Sequence, residues 1–118
     1  MERDLKIRTK MFCLNCIQLA ENLPKTYLGN HIKGQLIRSS SSVAANYRAA
    51  QLAQSKAAFV SKLSIVIEEA DESQFWLEMI LDCSLNKTNE RVLLEKEASE
   101  LTAIFIASRK KLNKRDLN

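Results

Sequence analysis

Lys62, Glu69 and Trp76 fall seven residues apart, with Glu72 beside them, and these are side chains that chemistry uses. On a helix, carboxylates at i and i+3 approach each other, and a shared site would split their pKa values into an acid and a base. The remaining parts of such a site are missing from the sequence. No His is near, no Gly-rich loop flanks the pair, and no third catalytic group follows. A di-metal bundle would need Glu-x-x-His motifs on two helices, and the sequence has none. The residues therefore read as structure: Glu69 and Glu72 pair with Arg38, Arg48 or Lys62 across a contact between two helices. Asn46 is expected to hydrogen-bond within that seam and set its register, as one buried Asn does in a coiled coil. Ion-pair networks of this kind mimic active sites. No catalytic residue, cofactor or metal is expected.

Cys13-x-x-Cys16 has the spacing of a redox or zinc half-site. It lies inside a helical pattern with no second pair, and Cys83 and the lone His31 are remote in sequence. No βαβ pattern supports a thioredoxin reading, and an odd cysteine count does not describe a disulfide framework. Buried, unreactive thiols are the expectation.

The elements that position these residues are helices. With two Gly and one Pro in 118 residues, the chain lacks the turn residues of an all-β fold. Apolar residues at 46% and charged residues at 27% describe one globular domain rather than a disordered chain. No apolar run reaches membrane-spanning length, and Met1-Glu2-Arg3-Asp4 opens no signal peptide, so the expected compartment is the cytoplasm.

Four amphipathic patterns follow. Helix 1 (about 4–23) has the seam Leu5, Thr9, Phe12, Cys16, Leu19 and Leu23, and Pro24 stops it. Ile7, Met11 and Leu14 form a second apolar stripe, which needs a neighbouring helix or another subunit. Helix 2 (about 28–53) reads as Leu28, Ile32, Gln35, Ser39, Ser42 and Asn46, where small side chains let two backbones approach closely. Ser55 caps helix 3 (about 56–83), whose seam is Phe59, Leu63, Val66, Ala70, Ser73, Leu77 and Ile80. Phe75 falls among its solvent positions, a candidate contact with another subunit. Helix 4 (about 90–114) repeats the spacing through Leu94, Ala98, Leu101, Phe105, Ser108 and Leu112. Short connections force sequential helices to reverse, giving an all-α, up-down-up-down antiparallel four-helix bundle.

That topology sorts the charge. Net charge is only +4, but the start of helix 1, the helix 2–3 turn and the end of helix 4 share one end of the bundle. Lys6, Arg8, Lys10, Arg48, Lys56, Arg109, Lys110, Lys111, Lys114 and Arg115 gather there with Arg3 and Lys62, against Glu2, Asp4 and Asp116. A concentrated basic end is a footprint for nucleic acid or another polyanion. The bland alternative is cations favouring the negative end of a helix dipole, or a solubilising tail.

Arg38-Ser39, Ser42, Asn46-Tyr47-Arg48, Ala50-Gln51, Ser55-Lys56, Phe59, Lys62-Leu63, Glu69-Ala70, Glu72 and Trp76-Leu77 together form a specific combination. In it the chain resembles the bacterial four-helix bundle proteins encoded within intervening sequences of large-subunit ribosomal RNA genes. That family is sometimes named as a ribosomal protein of the small subunit. Where it commonly has Glu, this chain has Ala49, which implies a reduced or rearranged ion network. The resemblance implies a homopentameric ring. It also implies kinship with the accessory variability determinants of diversity-generating retroelements, basic pentamers that bind nucleic acid and associate with a reverse transcriptase. The functional expectation is a non-enzymatic oligomeric bundle that contacts RNA or DNA through phosphates. The alternative is a scaffold that docks a partner protein without touching nucleic acid.

Overall fold

A computed structural model describes residues 2–117, with side chains over 4–114. Four helices follow one another: α1 Glu2–Glu21, α2 Tyr27–Gln51, α3 Lys56–Asp82 and α4 Asn89–Leu117, with no strand among the described residues. Local chemistry sets their ends. The Thr26 hydroxyl accepts from Gly29 N at 3.0 Å to open α2, and the Ser55 hydroxyl accepts from Ala58 N at 3.1 Å to open α3. A Schellman turn closes α3: Leu85 N donates to Ile80 O and Ser84 N to Leu81 O, both at 2.9 Å. Ser84 occupies the left-handed position of that turn, at φ 56°. Asn86 Oδ1 then accepts from both the amide and the hydroxyl of Thr88, at 2.8 and 2.7 Å, bracing the step into α4.

The helices form an antiparallel bundle in which α1–α2, α2–α3 and α3–α4 pack along their lengths. The fourth side, α1 against α4, is much more sparsely packed, and the diagonal helices α2 and α4 meet through side chains, the rings of Tyr47 and Phe105 lying 5.2 Å apart. Phe12, Cys16, Ile32, Leu36, Leu63, Leu77, Leu101 and Phe105 are completely enclosed in the core. Burial of this kind contributes about 25 cal/mol per Å² of apolar surface.

Helix α2 departs from its expected seam. Ile32 and Ser39 are buried, but Leu36, Val43 and Tyr47 face the core where the spacing placed Gln35, Ser42 and Asn46. The helix is turned by about one residue, because enclosing Leu, Val and Tyr removes more apolar surface from water than enclosing Gln, Ser and Asn. Close packing through small residues survives the rotation. Ser39 and Ser73 are fully buried, and Ser73 Oγ donates to Ser39 Oγ at 2.9 Å across the α2–α3 contact.

Candidate functional site

The α2–α3 contact gathers most of the polar stripe. Arg38 on α2 places Nη1 3.0 Å from Glu69 Oε2 and Nη2 against Glu72 Oε2, while its Nε donates to Gln35 Oε1 at 3.2 Å. Trp76 Nε1 donates to the same Glu72 oxygen at 2.9 Å, and its ring meets His31 edge-on at 5.7 Å. One carboxylate oxygen thus accepts from both a guanidinium and an indole. Both glutamates accept from donors held on the bundle's own helices. Asn46 lies outside this group: its amide donates to Ser42 O and Ser42 Oγ, at 2.9 and 2.8 Å, within its own helix. The rotation of α2 explains this, because Tyr47 and Val43 take the inward positions. Lys62 is exposed and joins no ion pair among the described residues.

The basic residues separate into two sets. Arg109 donates to Ser64 Oγ at 3.3 Å, bringing the end of α4 beside the start of α3. Arg48, Lys56, Lys110, Lys111 and Lys114 are exposed around that end. Lys6 and Lys10 are exposed further along α1. Arg8 is different: it donates to Glu97 at 3.0 and 2.5 Å and lies 3.3 Å from Glu100. The Glu97 hydrogen bond is the chief cause raising its pKa above the usual arginine value. It ties α1 to α4, with its charge already matched by two carboxylates. The Arg115 side chain lies outside the described residues.

The second stripe of α1 is uncovered. Ile7 is 56% exposed, with Met11 and Leu14 close to half, and Leu93 of α4, 57% exposed, shares a groove with Ile7 and Met11. Phe75 on the outer side of α3 is also half exposed, its ring against Trp76 at 4.9 Å. The thiols differ from the expectation of uniform burial. Only Cys16 is enclosed, and burial first, then the neighbouring Cys13, push its thiol well above the ordinary range. Cys13 and Cys83 are half-buried, with Cys13 Sγ donating to Ser41 Oγ at 3.6 Å. Among the described residues no three His, Cys, Asp or Glu side chains gather as a metal site would require, and no helix is long and apolar enough to cross a membrane.

Residues 3–107 match the sequence profile of the 23S rRNA-intervening sequence proteins. The chain belongs to that family. Its fold agrees with a crystal structure of a protein of unknown function from the S23 ribosomal protein family of Bacteroides thetaiotaomicron. The two are 28% identical over 90% of this chain and 98% of that one, with a TM-score of 0.81. No curated protein matches the chain. No catalytic family is indicated. The family match ends at residue 107, so Arg109, Lys110, Lys111 and Lys114 lie beyond it.

Two further features are invisible to helical spacing alone. Arg91 is 3% exposed, yet its Nη1 donates to Leu77 O at 2.9 Å and to Glu95 at 2.6 Å, a cation built into the α3–α4 contact. The Arg8–Glu97–Glu100 cluster joins residues about ninety positions apart. Opposite charges four residues apart hint at the first; nothing local signals the second.

Proposed function

We propose that this intervening-sequence protein is a non-enzymatic, self-assembling bundle, expected to be a pentamer, that holds RNA or DNA by its phosphates in the cytoplasm. The observation that carries the reading is the end of α4. Lys110, Lys111 and Lys114 are exposed and take no carboxylate partner among the described residues, with Arg48 and Lys56 also exposed near that end. Four other cations are matched: Arg8 by two glutamates, Arg38 by two, Arg91 by one and Lys33 by Glu21. A phosphate backbone is the partner for cations left in this state. Sequence readout would be weak, because the contacts proposed are to phosphates. Assembly would place several such ends on one particle and raise affinity through multivalency. Titrating RNA and DNA of one sequence and of scrambled sequence, at several salt concentrations, tests this. Binding that weakens with salt and ignores sequence supports it, and absence of binding at low salt refutes it.

A second reading draws on the uncovered apolar residues of α1 and α4. They suit a scaffold that docks a protein, such as the reverse transcriptase implied by kinship with accessory variability determinants, with charge serving only to steer association. Under that reading, reversing Lys110, Lys111 and Lys114 slows partner association and leaves nucleic-acid affinity unchanged.

A further inference from the structure

We infer that the outer face of α3 docks a different protein, taking a Lys- and Arg-rich segment whose cations lie against the ring of Phe75 and the carboxylates on either side of it. This surface is separate from the basic end and from the exposed apolar residues of α1 and α4.

Glu68, Asp71, Phe75, Glu78 and Asp82 recur at steps of three and four, so they line one face of α3. Every one of them is exposed, and the four carboxylates take no cation among the described residues. At the usual helical rise the stripe is about 21 Å long. The helix gains nothing from it. After Lys62, α3 contains no Lys or Arg. Glu68 stands one turn from Asp71, and Glu78 one turn from Asp82, where like charges weaken a helix and a Lys would strengthen it. Asp82 also closes α3, whose last turn holds no basic residue to offset the negative end of the helix dipole. A face that served only solubility would mix the two signs at this spacing. Local rules broken without compensation inside the chain point to a cation from outside it.

Phe75 narrows the kind of cation. Its ring leans on Trp76 with centroids 4.9 Å apart, and the Trp76 indole is itself held by Glu72 at 2.9 Å. The exposed half of Phe75 is therefore presented on a braced support, which lowers the cost of ordering it on binding. An aromatic ring among carboxylates suits a guanidinium or an ammonium, attracted by the ring face and neutralised by its neighbours. A metal ion fits poorly, since no three carboxylate, His or Cys side chains gather as ligands among the described residues. A phosphate backbone and an anionic membrane are both repelled by the stripe. Lys56, near the basic end, lies about 28 Å from Phe75 along α3, so the two surfaces can be occupied at once.

Fluorescence anisotropy of a labelled peptide alternating Arg and Ala, titrated with the full-length protein, tests this against a control peptide alternating Gln and Ala. The Arg peptide should bind and the Gln peptide should not. Phe75→Leu keeps an apolar side chain but no ring face and should weaken binding about threefold, while Phe75→Tyr should leave it unchanged. Asp71→Asn with Glu78→Gln should weaken binding about fivefold. Asp4→Asn with Glu90→Gln removes the same charge from other helices and should have no effect. All these positions are exposed, so each variant should keep wild-type helicity by circular dichroism. An Arg peptide that fails to bind, a Gln peptide that binds equally, stripe variants that bind as wild type, or an equal loss in the Asp4 and Glu90 variant would each overturn the proposal. Sedimentation and RNA titration of Phe75→Leu expose any other occupant: a changed oligomeric state or weakened RNA binding overturns it as well. Peptide binding with no RNA binding by the wild type supports the docking and overturns the nucleic-acid reading alone.

Discussion

Trp76 donates its indole N–H to Glu72 across one helical turn, 2.9 Å away, and Arg38 of the neighbouring helix claims the same carboxylate oxygen. The indole thereby fixes the carboxylate that receives the cross-helix cation. Trp76→Phe, which keeps most of the packing, should cost about 1 kcal/mol for the lost hydrogen bond. Trp76→Ala should cost about 2–3 kcal/mol, less than truncation of a fully enclosed tryptophan, because this ring is only half-buried. Urea unfolding of both variants checks the order, and an unchanged midpoint for Trp76→Ala would contradict the packing role.

The seam between α2 and α3 tolerates little added volume. Ser39→Ala loses the bond from Ser73 but leaves the backbones in place, and Ser73 still donates to Glu69 O. It should cost about 1 kcal/mol or less. Ser39→Leu must push the two helices apart and should cost about 1–3 kcal/mol, with loss of cooperative melting if the core repacks. Thermal unfolding followed by circular dichroism distinguishes the two.

How far the sequence reached is visible in these same residues. The seams of α1 and α3 are legible because Phe12, Cys16 and Leu19, or Leu63, Val66 and Leu77, are apolar at steps of three and four with polar residues between. Helix α2 misleads because Ser39 to Ser42 give four similar side chains in a row, so spacing cannot say which of them faces inward. The phase is set instead by Leu36, Val43 and Tyr47, and the error carried Asn46 into a cross-helix role it does not have. That Glu69 and Glu72 pair with a cation across the α2–α3 contact was legible, since both flank the seam on α3, but spacing left Arg38, Arg48 and Lys62 open and the structure uses Arg38. The pairing of Arg8 was not legible, because its partners lie on a helix that sequence order alone does not bring close.

Ser84 holds a left-handed backbone that side chains disfavour by about 1–2 kcal/mol, and glycine recovers that cost less its own entropic penalty of about 0.5–1 kcal/mol. Ser84→Gly should therefore stabilise the protein by about 0.5–1 kcal/mol. Chemical denaturation would show the midpoint moving up with an unchanged slope.

Cys16 links stability to alkaline pH. Burial, then Cys13, raise its folded pKa far above the ordinary 9.0, so the unfolded chain loses this proton first as pH rises. The stability held by the protonated thiol is fully present below about pH 9 and is lost progressively above it. Wild type should lose stability faster than Cys16→Ala between neutral pH and the alkaline limit. A thiol reagent should label Cys13 and Cys83 in the native protein well before Cys16. Equal pH slopes for the two proteins would contradict the burial argument.

Cations at the end of α4 with no carboxylate partner among the described residues are proposed to hold a phosphate backbone, and the salt dependence of binding tests this most directly. Logarithm of affinity against logarithm of salt should fall linearly, by about 0.7 per phosphate contacted on a single strand and about 0.9 on duplex DNA. Lys110→Glu, Lys111→Glu and Lys114→Glu combined should weaken binding across all sequences and flatten that slope by about 2–3. No binding at low salt, or an affinity that salt and the triple reversal both leave unchanged, would contradict the account.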